Sequence, residues 1–586
     1  MAANRPIAKA LRPQREESVN FDTTQNLFIE GDNLDALKLL QESYLGKVKM
    51  IYIDPPYNTG NDFIYKDNFA QTTEEYLVDS SQKNGSGERL VANTDSNGRF
   101  HSDWCSMMYS RLKVARNLLR DDGVVVIHID EHEHSNVQKL LDELFGSHNC
   151  IGTIVWDKRN PKGDAKGIAC QHELIIFYCR NKATFQESCR LKIPKENAHN
   201  MLEKVKSLMA VEGMVTEKVR KEYKIWLKRQ SFSEGEKAYC YIDNSGKVYR
   251  PVSMAWPNKK KAPSDYFIPL VHPDTKKECP VPTRGWRYTP TSIQKLLEND
   301  LVLFGKNETT QPTRKYLLSE NMHENFASLL YYGGSDDKLL SKLGIFFETP
   351  KPIDIAKKII ASICKGNEIV CDFFSGSATT AHAAMQLNAE DGGNRKFIMV
   401  QIPEKCTEDS EAFKNGYKTI AEIGKERIRR AGAKIKKENP DIADKLDTGF
   451  RAFKIDSSNM NKVHYYPHEY TPELFKSGVF SKNIKDDRSP EDLVFHVMLD
   501  WGVPFDLPIV KKDISGREVF FVGDGELAMC FASEGEVTKD FAKDLLEHGP
   551  LLRLVFRDAG FKDDCALGNV RAVFKCLSPQ TEMRVI

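Results

Sequence analysis

Short apolar, β-branched runs alternate with longer stretches of helical period along most of the chain. Lys49-Met50-Ile51-Tyr52-Ile53 reads as a buried strand of a parallel sheet. Before it, Leu27–Glu30 reads as a strand, with a turn at Gly31 and a helix capped by Asp32 or Asn33. Trp104, Met107, Met108, Arg111, Leu112, Ala115, Leu118 and Leu119 recur at helical spacing, and strands follow over Val124–Asp130, Ile151–Trp156 and Leu174–Cys179. From Lys182 to about Gly333 the periodicity weakens. It returns with a helix over Ile353–Ile363, a strand over Glu368–Asp372, a small-residue turn and a helix. A strand over Lys396–Glu404 and a helix over Glu411–Glu438 come next. The pattern predicts an α/β fold with a mostly parallel, Rossmann-like sheet built from two sequence halves. A last helix (Glu491–Asp500) and strands at Val519–Val522, Ala528–Ala532 and Leu551–Phe556 predict a C-terminal α+β domain. The expected boundaries are 1–181, 182–335, 336–455 and 456–586.

Composition narrows the classes. The 586 residues carry 84 basic and 83 acidic side chains, so any nucleic-acid footprint must be local. Thirteen cysteines form no Cys-x-x-Cys pair, and no His/Cys spacing resembles a zinc site. His132 and His134 stand two apart, which points them away from each other on a helix, so no metal is expected. Met1–Asn20 is polar, and no stretch approaches a membrane span. A soluble, cytoplasmic protein is expected. The segment between Asp62 and Ser102 is rich in Asn, Ser and Gly and reads as a long loop.

Asp54-Pro55-Pro56-Tyr57 follows the first of these buried strands. The two prolines cannot donate to a sheet ladder, so the strand must stop at Asp54. A carboxylate and an aromatic ring are then held on a stiff elbow at the carboxyl end of a strand, where ligands bind in open α/β sheets. Such an elbow suits an exocyclic amine of a base. The Asp54 carboxylate and the Pro55 carbonyl can accept its two N–H bonds, and Tyr57 offers a face for stacking, worth roughly 1–3 kcal/mol.

These residues resemble the catalytic motif of DNA amino-methyltransferases. The longer motif, through Asn58 and on to Asp67, resembles that of the adenine-N6 enzymes of Type III restriction–modification systems. Asp372-Phe373-Phe374-Ser375-Gly376-Ser377-Ala378-Thr379 resembles the donor-binding turn of the same family, in which Phe-x-Gly-x-Gly is usual. Here Ala378 replaces the second glycine, which is tolerable where φ is negative. The order of motifs resembles the β group, over about Leu27–Ser458, with a tail like that of the modification (Mod) subunits. The resemblance implies S-adenosylmethionine as methyl donor, with Asp32, Lys351, Asp372, Phe374, Gly376, Ser377 and Thr379 about it. Gln401 or Glu404 takes its ribose, and the two remain alternatives.

For the substrate, the resemblance implies double-stranded DNA, with a flipped adenine met by Asp54, Pro55, Pro56 and Tyr57, and with Asn58 and His172 near it. The segment 182–335 carries Lys259, Lys260 and Lys261 among interleaved aromatics, and its place between the catalytic halves suggests target recognition. The basic residues of the Glu411–Glu438 helix read equally as a solvated face or a phosphate-tracking edge. A homodimer and a restriction (helicase–nuclease) subunit are the implied partners. A solitary DNA adenine methyltransferase, or an RNA or protein-glutamine methyltransferase, is the alternative.

Overall fold

The computed structural model describes residues 2–59, 63–65, 90–92, 99–159, 168–195, 197–461, 483–532, 535–549 and 551–586. The continuation of the Asp54 motif from Gly60 to Asp67 lies outside them, apart from the backbone of 63–65, as does most of the polar loop that follows. The chain divides into two compact units: Met1–Arg190 with Ala327–Ile586, and Leu191–Phe326.

The first unit is organised on ten strands: β1 (Lys9–Pro13), β2 (Leu27–Glu30), β3 (Val48–Ile53), β4 (Leu119–Ile129), β5 (Cys150–Asp157), β6 (His172–Cys179), β7 (Leu329–Tyr331), β8 (Ile369–Asp372), β9 (Lys396–Gln401) and β10 (Arg451–Ser457). Their order is β1-β10-β2-β9-β8-β3-β4-β6-β5-β7. Three pairings (β1 with β10, and β6 with β4 and with β5) are antiparallel; the other six are parallel. This is an α/β fold with one mostly parallel sheet drawn from both sequence halves.

All six residues of β3 are buried, because helices cover both faces of the sheet. Ile51 and Ile53 of β3 share a core with helices Asn33–Tyr44 and Phe100–Leu118. Phe397 and Met399 of β9 pack instead with helices Thr379–Asp391 and Ile420–Glu438. The expected single helix over Glu411–Glu438 is therefore two. It breaks around Gly416, at φ 93°, and restarts with Thr419 as cap after a short helix Glu411–Lys414.

β3 and β8 are parallel neighbours, with Met50 opposite Val370 and Ile51 opposite Cys371. Beyond them the sheet grows one way through β4 and the other way through β9. The carboxyl ends of β3 and β8 thus flank a topological switch point, the place where an open α/β sheet leaves a crevice. Asp54 follows β3 there, and Asp372 ends β8.

The C-terminal helix Pro490–Asp500 and a five-stranded sheet (Ile509–Ile514, Arg517–Val522, Leu527–Cys530, Arg553–Phe556, Glu582–Val585) belong to the same unit. One core runs through it. Phe495 packs edge-on against Phe453 and Phe21, at 4.7 and 5.9 Å between ring centroids, and Lys396 pairs with Asp506 at 2.6 Å. The second unit has its own cores, one around Tyr223, Tyr239, Val248 and Leu318, the other around Met254, Trp286 and Ile293. Among the described residues no helix is long and apolar enough to cross a membrane.

The turn after β8 holds Gly376 at φ 50° and Ala378 at φ 61°. Negative φ at Ala378, the condition attached to its replacing glycine, is not met. An alanine in the left-handed region is strained by about 1–2 kcal/mol. Ala378→Gly removes that strain, but it also removes a fully buried methyl, about 0.8 kcal/mol, and frees the unfolded backbone, about 0.4–1 kcal/mol. The terms nearly cancel, so thermal unfolding of Ala378→Gly is expected within a few degrees of the parent. Ala378→Val, which adds a β-branch at the same φ, is expected to melt well below it.

Candidate active site

Where β3 stops, Asp54 turns into the crevice. Trp104, buried in helix Phe100–Leu118, donates from its indole N–H to the Pro56 carbonyl at 2.8 Å and so ties the rigid Pro-Pro segment to the core. Asn58 stands at φ 61° and is buried, with its amide donating to Glu133 at 2.6 Å and to the Phe100 carbonyl at 3.3 Å. Its side chain anchors the loop from behind and does not enter the crevice.

Four charged groups meet in front of this elbow. Lys351 Nζ lies 3.3 Å from Asp54 Oδ1, 2.8 Å from Glu173 Oε2 and 2.5 Å from the Tyr57 hydroxyl, and it sits over the Tyr57 ring at 4.6 Å from the centroid. Tyr57 also donates to Glu173 at 3.2 Å, and Lys158 pairs with the other oxygen of Glu173. Burial pushes the Asp54 carboxyl up; the Lys351 ammonium pulls it back, while Glu173 adds to the rise. Burial also works against ionised Glu173, but Lys351 and Lys158 outweigh it and hold this carboxyl at about 2. Asp54 Oδ1 is sealed from solvent and has no hydrogen-bond partner. The Asp54 side chain as a whole stays one-third exposed beside Tyr57, so its carboxylate can still meet an incoming N–H.

The Gln171-His172-Glu173 segment shows how strand alternation sorts neighbours. His172 is exposed, and Glu173 is the residue that points at Tyr57. Glu173 was missed, although the period of two along the apolar residues Leu174–Cys179 carries the signal. Lys351 stands with the Asp54 group rather than inside the β8 turn, which it touches only through its carbonyl, 3.5 Å from the Thr379 hydroxyl.

The β8 turn is braced from below. Burial lifts the Asp372 carboxyl to about 7, against hydrogen bonds from the Thr380 hydroxyl at 2.6 Å and the Phe374 N–H at 3.0 Å; the charge on Asp54 lifts it further. Phe374 is buried against Phe373. Arg427, wholly buried, donates to the hydroxyls of Ser377 and Thr379 at 2.9 and 2.8 Å. Gln401 accepts from the Gly376 N–H at 2.7 Å, so its amide closes the turn. Glu404 is half-buried with no side-chain hydrogen bond or ion pair among the described residues, and burial raises its carboxyl. Ser375 Oγ is likewise buried without a partner. The crevice thus keeps an open hydroxyl, an open carboxylate and a glycine at positive φ, the donor set that a nucleoside with an amino-acid tail would meet.

Asp32 caps helix Asn33–Tyr44, accepting from the Leu34 and Asp35 N–H groups at 2.9 and 3.1 Å, and it faces Arg111 at 3.4 Å. Arg111 and Asn33 were missed. Arg111 bonds Asn33, and Asn33 donates to the Phe373 carbonyl at 2.8 Å, joining the first helix to the β8 turn. Lys259, Lys260 and Lys261 lie exposed on irregular chain in the second unit. The basic residues of helix Ile420–Glu438 are largely spoken for. Lys425 pairs with Glu17 and Glu30, Arg429 and Arg430 with Glu426, and Arg427 is buried, so these four positions are engaged within the protein. Asp130, Glu131 and His132 bring ligand atoms within 4.8 Å of one another, with His132 bonded to Asp130 at 3.0 Å.

With this geometry in hand, comparison with known proteins is informative. The chain is 33% identical over 450 residues to the Mod subunit of the Type III restriction–modification enzyme EcoP15I of Escherichia coli, covering 75% of this chain and 66% of that protein. It is 35% identical over 442 residues to the StyLTI Mod subunit of Salmonella typhimurium, covering 74% and 60%. The chain therefore spans less than two thirds of the length of these relatives. Among solved structures, the PvuII DNA methyltransferase (cytosine-N4-specific) aligns at 12% identity with a TM-score of 0.30, over 72% of this chain and 94% of that one. The family model of the N6/N4 DNA methylases matches residues 48–414, from the first residue of β3 past Gln401 and Glu404, and the chain belongs to this DNA methylase family.

Proposed function

We propose that the protein transfers a methyl group from S-adenosylmethionine to N6 of adenine in duplex DNA, as the modification and specificity subunit of a Type III restriction–modification system. The observation that carries this reading is the Asp54 carboxylate, one-third exposed beside Tyr57 and paired with Lys351 where β3 ends, next to the β8 turn. The likeness to Mod subunits supports the restriction–modification setting, and a cytoplasmic location, a homodimer and a restriction subunit as partner go with that reading. The unit Leu191–Phe326 would read the target sequence.

When bound, S-adenosylmethionine supplies an electrophilic methyl group carried on a sulfonium. The residues that would hold it are Asp372 at its ammonium, Ser375 and the Gly376 backbone along its length, and Glu404 at its ribose hydroxyls. Gln401 is committed to the Gly376 N–H and serves as a positioning residue. The extrusion of a base from the duplex costs a few kcal/mol. Tyr57 recovers part of this by stacking, and Asp54 with the Pro55 carbonyl accepts the two N–H bonds of the amine. That withdraws the nitrogen lone pair from the ring and turns it towards the donor. As the new N–C bond forms the amine turns acidic and gives its proton to water, so no strong base is required. Lys351 favours the ionised form of Asp54 against burial, and the ionised carboxylate is the better acceptor for the N–H.

Asp54→Ala is expected to lower methyl incorporation into duplex DNA by at least ~10²-fold, the scale for a group that acts in the transition state. Donor affinity by calorimetry should stay unchanged. Mass spectrometry of digested DNA tests the base itself, and methyl on cytosine N4 would refute the adenine assignment.

Removing the Lys351 ammonium leaves Asp54 exposed to burial and to Glu173, both of which raise its pKa. The acid limb of the transfer rate should therefore move to higher pH in Lys351→Met. An unmoved limb would separate Lys351 from the chemistry.

Asp372, at about 7, is mostly neutral in mild acid and ionised in mild base. Donor affinity should rise severalfold as pH rises from well below to just above 7, with proton release visible as buffer-dependent heat. Asp372→Asn should flatten that dependence.

A further inference from the structure

The unit Leu191–Phe326 carries a four-stranded antiparallel sheet in the order Tyr241–Ile242, Val248–Ser253, Thr313–Leu317, Val302–Leu303. Its register sets Arg250 opposite Tyr316 and Val252 opposite Arg314. Arg250, Tyr316 and Arg314 therefore share one face of the sheet. On that face rings and cations alternate. The Arg250 guanidinium lies 5.2 Å from the Tyr239 ring and 5.4 Å from the Tyr316 ring; that of Arg314 lies 5.6 Å from Tyr316 and 5.6 Å from Tyr288. Lys195 extends the row, 4.8 Å over Tyr239, with its ammonium bonded to the Asn321 carbonyl at 2.7 Å and the Tyr239 hydroxyl at 3.2 Å.

The row carries three cations. Among the described residues none of the three forms an ion pair, although Lys195 lies within the influence of Glu324 and Glu236. Other cations of the unit do pair: Lys315, on the opposite face, with Asp300 at 2.5 Å, Lys218 with Glu212 at 2.7 Å and Arg220 with Glu217 at 2.6 Å. The Nε atoms of Arg250 and Arg314 are buried and have no hydrogen-bond partner. Each guanidinium has two rings within 5.6 Å, and Arg314 also donates to the Tyr288 hydroxyl at 3.1 Å, which holds these side chains in place while their charge stays unpaired.

We propose that Lys195, Arg250 and Arg314, set between Tyr239, Tyr316 and Tyr288, form the site at which this unit grips the sugar–phosphate backbone of DNA. The proposal rests on reading the unit as the DNA-recognition part. Three ring-flanked cations in a row, none in an ion pair among the described residues, complement a line of phosphates. Arg250 and Arg314 are diagonal neighbours across two strands, about 7–8 Å apart at the backbone, comparable with successive phosphates along one strand. Phosphate contacts set register and affinity without reading bases. This differs from the exposed run Lys259–Lys261, whose side chains no ring or partner holds.

The test is binding of the full chain to a duplex with the methylated site and to a scrambled duplex, followed by fluorescence anisotropy across a salt series. In Arg250→Gln with Arg314→Gln the affinity for both duplexes should fall alike, and the slope of log affinity against log salt should shrink by about 2, close to 0.9 for each lost phosphate contact. Arg250→Lys with Arg314→Lys, which keeps the charge, should keep the slope. If thermal melting shows that the glutamine pair does not fold, Lys195→Gln with Arg314→Gln takes its place, because it leaves Arg250 packed between its rings. Duplex binding with an unchanged slope in the glutamine pair overturns the proposal, and so does a loss confined to the methylated-site duplex, which would mean base reading. A parent chain that binds no duplex at any salt overturns the DNA methyltransferase reading itself.

Discussion

A carboxylate oxygen sealed from water without a hydrogen bond is costly to fold around, by about 1–3 kcal/mol or more for a charged group. Asp54 Oδ1 is such an oxygen. The surrounding structure is arranged to tolerate it without filling it. Lys351 supplies the opposite charge at ion-pair distance, while Glu173 and Lys158 make the local charges two positive and two negative. The opening therefore survives as an acceptor that only a suitably placed N–H completes. Removing Lys351 would leave Asp54 without an opposite charge, a change usually worth about 3–5 kcal/mol for a buried pair, whereas Glu173 would keep Lys158.

The β8 turn solves a different problem by different means. Its polar side chains are mostly engaged from beneath: Ser377 and Thr379 by Arg427, Asp372 by Thr380, and the Gly376 N–H by Gln401. What stays available is backbone, the Ser375 hydroxyl and, one strand over, Glu404. The turn is thus a preformed cradle rather than a cluster of free side chains. The left-handed Ala378 stores strain in it, held because the methyl sits inside a packed core.

Local features of the sequence were legible where the physics is local. Continuous apolar β-branched runs marked β3, β4 and β6, because strands buried on both faces must read that way, and the double proline marked where β3 ends. The β8 strand-turn-helix was legible for the same reason. What failed depended on partners distant in sequence. Lys351 meets Tyr57 across 294 positions, and no spacing rule reaches that far. The basic residues of helix Ile420–Glu438 looked like a free face until Glu17 and Glu30 were found against Lys425. Alternation along Leu174–Cys179 turns Glu173 inward and leaves His172 exposed, a signal that residue type alone does not carry. The φ of Ala378 is set by how the turn packs, and residue type gives no hint of it.

The inserted unit depends least on the rest. It opens and closes on an antiparallel pair, Lys192–Pro194 with His323–Asn325, and the Phe326 N–H returns to the Leu191 carbonyl at 3.2 Å. That pair closes the unit at its two chain ends, and its two cores are made only of the unit's own residues. Such a body can exchange surface side chains, or whole loops, at little cost to the sheet that carries Asp54. The crevice at β3 and β8 depends on contacts inside its own unit, Lys351 with Asp54 and Glu173 above all, and the cores of the inserted unit take no part in them.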